Sequence, residues 1–203
     1  MSVDFKRSMV LTVITSVIVL ISLFYLFNIV NGTGESFFSL AIVDSGKTSI
    51  DYFNGENSIV NIDEKYDWYI FAENKFDSSK QILVKVKLVD ENIDPPNSTS
   101  CTPCLATPIF EKDVYLNNNE SIYLPFEWSI NNVEYYQETS KITDITVDDI
   151  EIPVNVLSSS NNFRFIFELW VYDSNSRDYV FKWGEENGAC SWGQIWFKIA
   201  EGT

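Results

Sequence analysis

Two thiols three positions apart, in Cys101-Thr102-Pro103-Cys104, form the most suggestive local motif of the chain. Such a spacing serves a redox pair, half of a thiolate metal site or a local disulfide. A thioredoxin-like pair needs a strand-to-helix setting that lowers one thiol pKa, and here proline-rich loop flanks the motif on both sides. A thiolate metal site needs four ligands, whereas the chain has 3 Cys and 0 His. The expectation is a disulfide in an oxidising compartment, Cys101 with Cys104. Cys190 is the odd thiol, so Cys101–Cys190 and Cys104–Cys190 stay open.

Carboxylates are the other groups able to do chemistry. Asp144, Asp148, Asp149 and Glu151 fall within nine residues, and oxygen-rich clusters of this kind can hold Ca²⁺. Their spacing lacks the Asp-x-Asp-x-Asp-Gly loop of an EF-hand, so a solvated acidic edge is the stronger reading. Glu185 and Glu186 are adjacent, but glycoside hydrolysis needs two carboxyls facing each other at a set separation. Without histidine the chain lacks Ser-His-Asp and Cys-His nucleophile systems and the commonest general base. No catalytic residue, metal or cofactor is expected.

Lys and Arg number 14 against 29 Asp and Glu, a formal charge of -15. That balance excludes a phosphate-backbone partner, hence nucleic acid.

Residues 9–30 are 22 consecutive positions without a charge. As a helix rising about 1.5 Å per residue they cover roughly 33 Å, against about 30 Å of hydrocarbon. The run exceeds the h-region of a signal peptide and is followed by no small-x-small cleavage pattern, so an uncleaved transmembrane anchor is expected. Lys6 and Arg7 precede it, whereas the first charges beyond it are acidic, Glu35 and Asp44. The positive-inside rule then places the N-terminus in the cytoplasm and the body outside, a single-pass protein of the cell membrane. Sequons at Asn31, Asn97 and Asn119 would be glycosylation acceptors on such an external body.

Beyond the anchor, apolar and polar residues alternate with period two. Ile82, Val84, Val86 and Leu88 share one strand face with Lys85 and Lys87 opposite. Phe163, Phe165, Phe167, Leu169 and Val171 do the same, with Arg164 and Glu168 opposite. The polar run 173–178 reverses the chain into a hairpin with 179–183. Further strands are expected at 37–43, 68–72, 110–116, 122–128 and 194–199. Residues 90–108, with Pro95, Pro96, Pro103 and Pro108, read as a long inter-strand loop. Residues 134–156 read as a short helix or an inserted hairpin. The fold class is mainly β, an antiparallel, immunoglobulin-like β-sandwich of eight to ten strands behind one transmembrane α-helix. The expected organisation is a cytoplasmic N-terminus at 1–8, the span at 9–30, a spacer at 31–36 and the extracellular domain at 37–203.

The segments Phe38-Ser39-Leu40-Ala41-Ile42, Tyr66-Asp67-Trp68-Tyr69-Ile70 with Asn74, and Val84-Lys85-Val86-Lys87-Leu88 have a familiar pattern. So do Pro125-Phe126-Glu127-Trp128, residues 162–172 and Trp192-Gly193-Gln194-Ile195-Trp196-Phe197. Over most of 37–199 the chain resembles an archaeal membrane-anchored family of unknown function, with one N-terminal transmembrane helix and an external β-sandwich. The resemblance implies fold and location and carries no active site.

Aromatic residues are abundant, with 6 Trp, 10 Tyr and 15 Phe. A sandwich core accounts for one set. Trp170, Tyr172, Trp192 and Trp196 would form a second cluster on the outer face, covered by 134–156; uncovered, Trp170, Trp192 and Trp196 would be a partner surface. The functional expectation is a non-enzymatic, membrane-anchored cell-surface structural or interaction module, or an accessory subunit of a membrane or envelope complex. The alternatives are an extracellular carboxylate-dependent hydrolase and a polysaccharide-binding module.

Overall fold

The computed structural model describes residues 20–22, 36–50, 52, 53, 58–137, 139–184 and 188–200. The chain divides into two compact units, Met1–Ser36 and Phe37–Thr203. In the first, residues 20–22 are helical; the rest of the expected anchor lies outside the described residues, as do Asn31, Glu185 and Glu186. Among the described residues no helix is long and apolar enough to cross a membrane.

The second unit is a β-sandwich, with eleven strands among its described residues. They are β1 (Phe38–Val43), β2 (Ile59–Val60), β3 (Tyr66–Asn74), β4 (Lys80–Asp90), β5 (Phe110–Leu116), β6 (Ser121–Tyr136), β7 (Thr139–Val147), β8 (Ile150–Ser158), β9 (Asn162–Asp173), β10 (Asp178–Val180) and β11 (Ser191–Ile199). One sheet has the order β1-β3-β6-β7-β8; the other runs β2-β11-β9-β4-β5, with β10 added to β9. The count exceeds the expected eight to ten by β2, which is only 2 residues long and too short to show alternation.

The two alternating segments become neighbouring central strands: Val84 pairs with Leu169 and Val86 with Phe167 across β4 and β9. Their apolar faces meet aromatic residues of the opposite sheet. Phe165 lies 5.7 Å from Trp68 and 4.7 Å from Trp128, and Phe167 lies 5.8 Å from Phe126, between ring centroids and at steep angles. Edge-to-face geometry suits the ring quadrupoles and adds about 0.5–1.5 kcal/mol per pair to area burial.

Residues 134–156 are the inserted hairpin and not a helix. They form the end of β6, all of β7 and most of β8, extending the first sheet. A two-residue turn, Asp148-Asp149, connects β7 to β8 with φ of 48° and 61°. Both residues are left-handed, as a type I′ turn requires, and Asp tolerates that region better than most side chains.

Candidate functional site: a clamped loop over the outer sheet face

Strand β9 is buried on both sides. Its odd positions fill the sandwich core, while Arg164, Ile166 and Glu168 on the other face are equally enclosed. The cover is the loop 91–109, which leaves β4 and returns as β5. The hairpin at 134–156, expected to cover this face, instead extends the other sheet.

Two charged side chains hold the loop. Glu168 and Lys87 form an ion pair of 2.8 Å with side chains 0% and 4% exposed. Glu168 Oε1 accepts the backbone N–H of Cys104 at 2.8 Å, and Lys87 Nζ donates to the Cys104 carbonyl at 2.6 Å. One peptide residue of the loop is thereby gripped at both polar groups. Trp170 Nε1 donates to Glu168 Oε2 at 2.9 Å, so both carboxylate oxygens are occupied. An ion pair this dry persists only with such additional hydrogen bonds. The sequence reading placed Lys87, Arg164 and Glu168 on a solvent-facing side; the structure places them on that side but under the loop.

Other contacts fix the loop's margins. Arg164 Nη1 donates to Gln194 Oε1 at 2.8 Å, Nη2 donates to the Ile93 carbonyl, and the guanidinium lies 4.4 Å from the Trp196 ring centroid. Burial holds the Arg164 pKa below its usual value, against the opposing pull of Cys104, Asp90 and Asp94. Glu91 accepts from Ser158 Oγ at 2.7 Å and from Ser159 N and Oγ at 3.1 and 2.9 Å. Burial raises the Glu91 pKa, but these hydrogen bonds outweigh it and bring the carboxyl down to about 2. Trp192 Nε1 donates to Ser98 Oγ at 2.9 Å.

The three tryptophans do lie on this face, but as a row they are interrupted. Trp170 and Trp192 are half-buried and hydrogen-bonded, and Lys85 Nζ sits 4.4 Å from the Trp170 ring centroid. Trp196 remains 40% exposed. The loop adds what the sequence reading missed. Leu105, next to the clamped Cys104, is 94% exposed. It shares with Ile93, Asp94, Pro95, Pro96 and Pro103 a shallow depression of about 780 Å³ built wholly from the loop. A narrower cleft of about 400 Å³ separates Leu88, Ile93 and Pro108 from Ile152, Val154 and Val156 of β8.

The remaining candidates are scattered. Cys101, Cys104 and Cys190 are free thiols; Cys104 packs with Val89 and Ile166, whereas the Cys101 and Cys190 sulfurs lie 3.7 and 3.9 Å from one acceptor, the Ser98 carbonyl oxygen. The acidic cluster does not converge. Asp148 and Asp149 make the hairpin turn, Asp148 Oδ1 accepting Glu127 N at 3.2 Å and Asp149 pairing with Lys65 at 3.3 Å. Asp144 accepts from Thr143 Oγ1 and Asn132, and Glu151 pairs with Thr146 across the hairpin. Among the described residues no group of three or more His, Cys, Asp or Glu is placed to hold a metal ion. Asn97 and Asn119 are exposed in turns, where a glycan has room.

No family model matches the chain, and no curated protein matches it. Among solved structures it is similar to the CARDB domain of a Pyrococcus furiosus protein in complex with di-metal ions. Identity there is 9% and the TM-score 0.37, over 81% of this chain and 93% of that one. It is also similar to a mutant β-glucosidase from Listeria innocua in complex with laminaribiose, at 13% identity and a TM-score of 0.37. That match covers 84% of this chain but only 17% of the enzyme. Likeness at these levels transfers neither ligand nor activity.

Proposed function

We propose that this chain is a non-catalytic surface module, anchored in the cell membrane by residues 9–30, that displays the loop 91–109 to a protein partner of the membrane or envelope. The observation that carries the reading is the pairing of a clamped backbone with a free apolar tip. Lys87 and Glu168 fix Cys104, and the neighbouring Leu105 projects 94% exposed. Ordering a loop on binding costs about 0.5–1.5 kcal/mol per immobilised side chain, and a loop already held by prolines and buried hydrogen bonds avoids much of it. Asp94 lines the same depression as Leu105, and the body as a whole is acidic, so the partner is a basic surface with an apolar pocket. The whole external body carries 12 basic and 28 acidic residues, which repels acidic neighbours beyond the Debye length of about 8 Å.

The sandwich is of immunoglobulin-like type in this reading. Strands β1, β3 and β6 correspond in order to an A-B-E sheet and β5, β4, β9 and β11 to a C′-C-F-G sheet. The hairpin β7–β8 is then an insertion before the F-like strand. Polysaccharide binding would use a row of exposed aromatics, and two of the three tryptophans are engaged within the fold. Hydrolysis would use a pair of accessible carboxylates, and Glu168 spends both oxygens on the clamp.

The test is gentle detergent extraction of the full chain followed by native mass analysis, comparing wild type with Leu105→Asp. The expected result is a complex whose partner is lost in the variant while thermal stability is unchanged. Equal recovery of the partner from both proteins refutes the assignment. Protease protection in intact cells checks the topology: the body should be cleavable from outside.

A further inference from the structure

The loop meets the sheet at a second place, where two chain segments distant in sequence bring their sulfurs together. Cys101 Sγ donates to the Ser98 carbonyl at 3.7 Å, and Cys190 Sγ lies 3.9 Å from the same oxygen. Each cysteine sits within or beside a backbone bridge. Asn97 and Thr102 bridge at 2.9 and 3.2 Å around Cys101, and Trp183 and Ala189 bridge at 2.9 and 2.6 Å just before Cys190. Trp192 Nε1, bonded to Ser98 Oγ at 2.9 Å, pins the two segments together. Cys104 is drawn elsewhere, into the pocket of Val89 and Ile166.

We propose that Cys101 and Cys190 form a disulfide that ties the loop 91–109 to the entry of β11, leaving Cys104 as a buried thiol. The reaction rests on the external placement proposed above, since it needs an oxidising compartment. Its oxidant is a disulfide, carried by a thiol oxidoreductase or by oxidised glutathione. One cysteine thiolate attacks a sulfur of that disulfide, forming a mixed disulfide and releasing one oxidant thiolate. The second cysteine thiolate attacks the protein sulfur of the mixed disulfide, expelling the other oxidant thiolate. The two cysteines lose two protons and two electrons, and the oxidant's sulfur–sulfur bond takes up both.

Burial, with a further contribution from the neighbouring Cys101, pushes the Cys190 thiol up to about 12. Uncatalysed closure therefore accelerates as pH rises above neutrality, because the thiolate is the nucleophile. Closing a loop of this length restricts the unfolded chain strongly, which the oxidised protein registers as a higher Tm.

The experiment exposes the purified full chain in detergent to oxidised glutathione, blocks residual thiols and maps disulfides by mass spectrometry. Wild type and Cys104→Ser should both gain the 101–190 cross-link, while Cys101→Ser and Cys190→Ser should not. Reduction of the cross-linked protein should lower its Tm by about 10 °C. A bond from Cys104 to either partner, or three free thiols after prolonged oxidation, overturns the proposal. Alkylation at the moment of lysis separates the two readings. Reduced thiols in native membranes, together with ready closure in vitro, would refute the external placement and uphold the thiol geometry.

Discussion

The two faces of β9 are buried to the same degree by opposite means. On the inner face Phe163, Phe165, Phe167 and Leu169 pack against the facing sheet. On the outer face Arg164 and Glu168 lie beneath a proline-rich loop, and their hydrogen bonds have named partners. The inner face depends on volume, so apolar replacements of similar size should be tolerated. The outer face depends on direction, because the Cys104 N–H and C=O must meet Glu168 and Lys87 at once. The first kind of burial supplies most of the stability; the second fixes one loop position.

Removing volume from the inner face should have the largest effect. Phe165→Ala should cost about 3–5 kcal/mol, read as a lower urea midpoint with an unchanged m-value.

On the outer face, Glu168→Ala strands a buried ammonium and should cost about 3 kcal/mol. The double variant Lys87→Met, Glu168→Leu should recover most of that loss, because an apolar pair of similar volume replaces a desolvated ion pair. The loop should nonetheless become cleavable by protease around residue 104. Stability recovered with the loop still protected would show that the clamp is dispensable.

Acid should loosen the loop's hinge before it touches the core. The Glu91 carboxyl is held down to about 2 from its ordinary 4.5. Its contribution is present in full above 4.5 and is lost as pH falls from there towards 2. After solvent screening this amounts to about 1 kcal/mol. A pH series of urea midpoints for wild type and Glu91→Gln should converge at the acid end, diverge as pH rises from about 2 to 4.5, and stay a constant distance apart above that.

The smallest effect should come from the exposed pair of Lys65 with Glu127 at 2.6 Å. Lys65→Met should leave the urea midpoint indistinguishable from that of the wild type, because a solvent-exposed pair is screened.

The central strands and their inward faces were legible because β4 and β9 alternate strictly, and alternation is the direct imprint of a one-sided core. The same rule misled on Lys87, Arg164 and Glu168. Period two reports that two faces differ in polarity, not that the polar one is open to water. The available signal was non-local: opposite charges on strands that proved adjacent, beside a 19-residue loop with four prolines. Such a loop needs something to hold it. The approach of Cys101 to Cys190 had no local signature, since it arises only when 97–102 and 189–192 fold against each other. The acidic run 144–151 surrounds a hairpin turn, and its aspartate carboxylates bond to separate partners, a divergence set by the reversal of the chain at Asp148-Asp149.

The most direct test of a fixed, preorganised loop is hydrogen exchange at the Cys104 amide of the full chain. That N–H is buried and donates to Glu168 at 2.8 Å, so it should exchange as slowly as the amides of β4 and β9, and Glu168→Gln should accelerate it at least tenfold. Exchange of the wild-type Cys104 amide as fast as that of the exposed turn 174–176 would contradict the account.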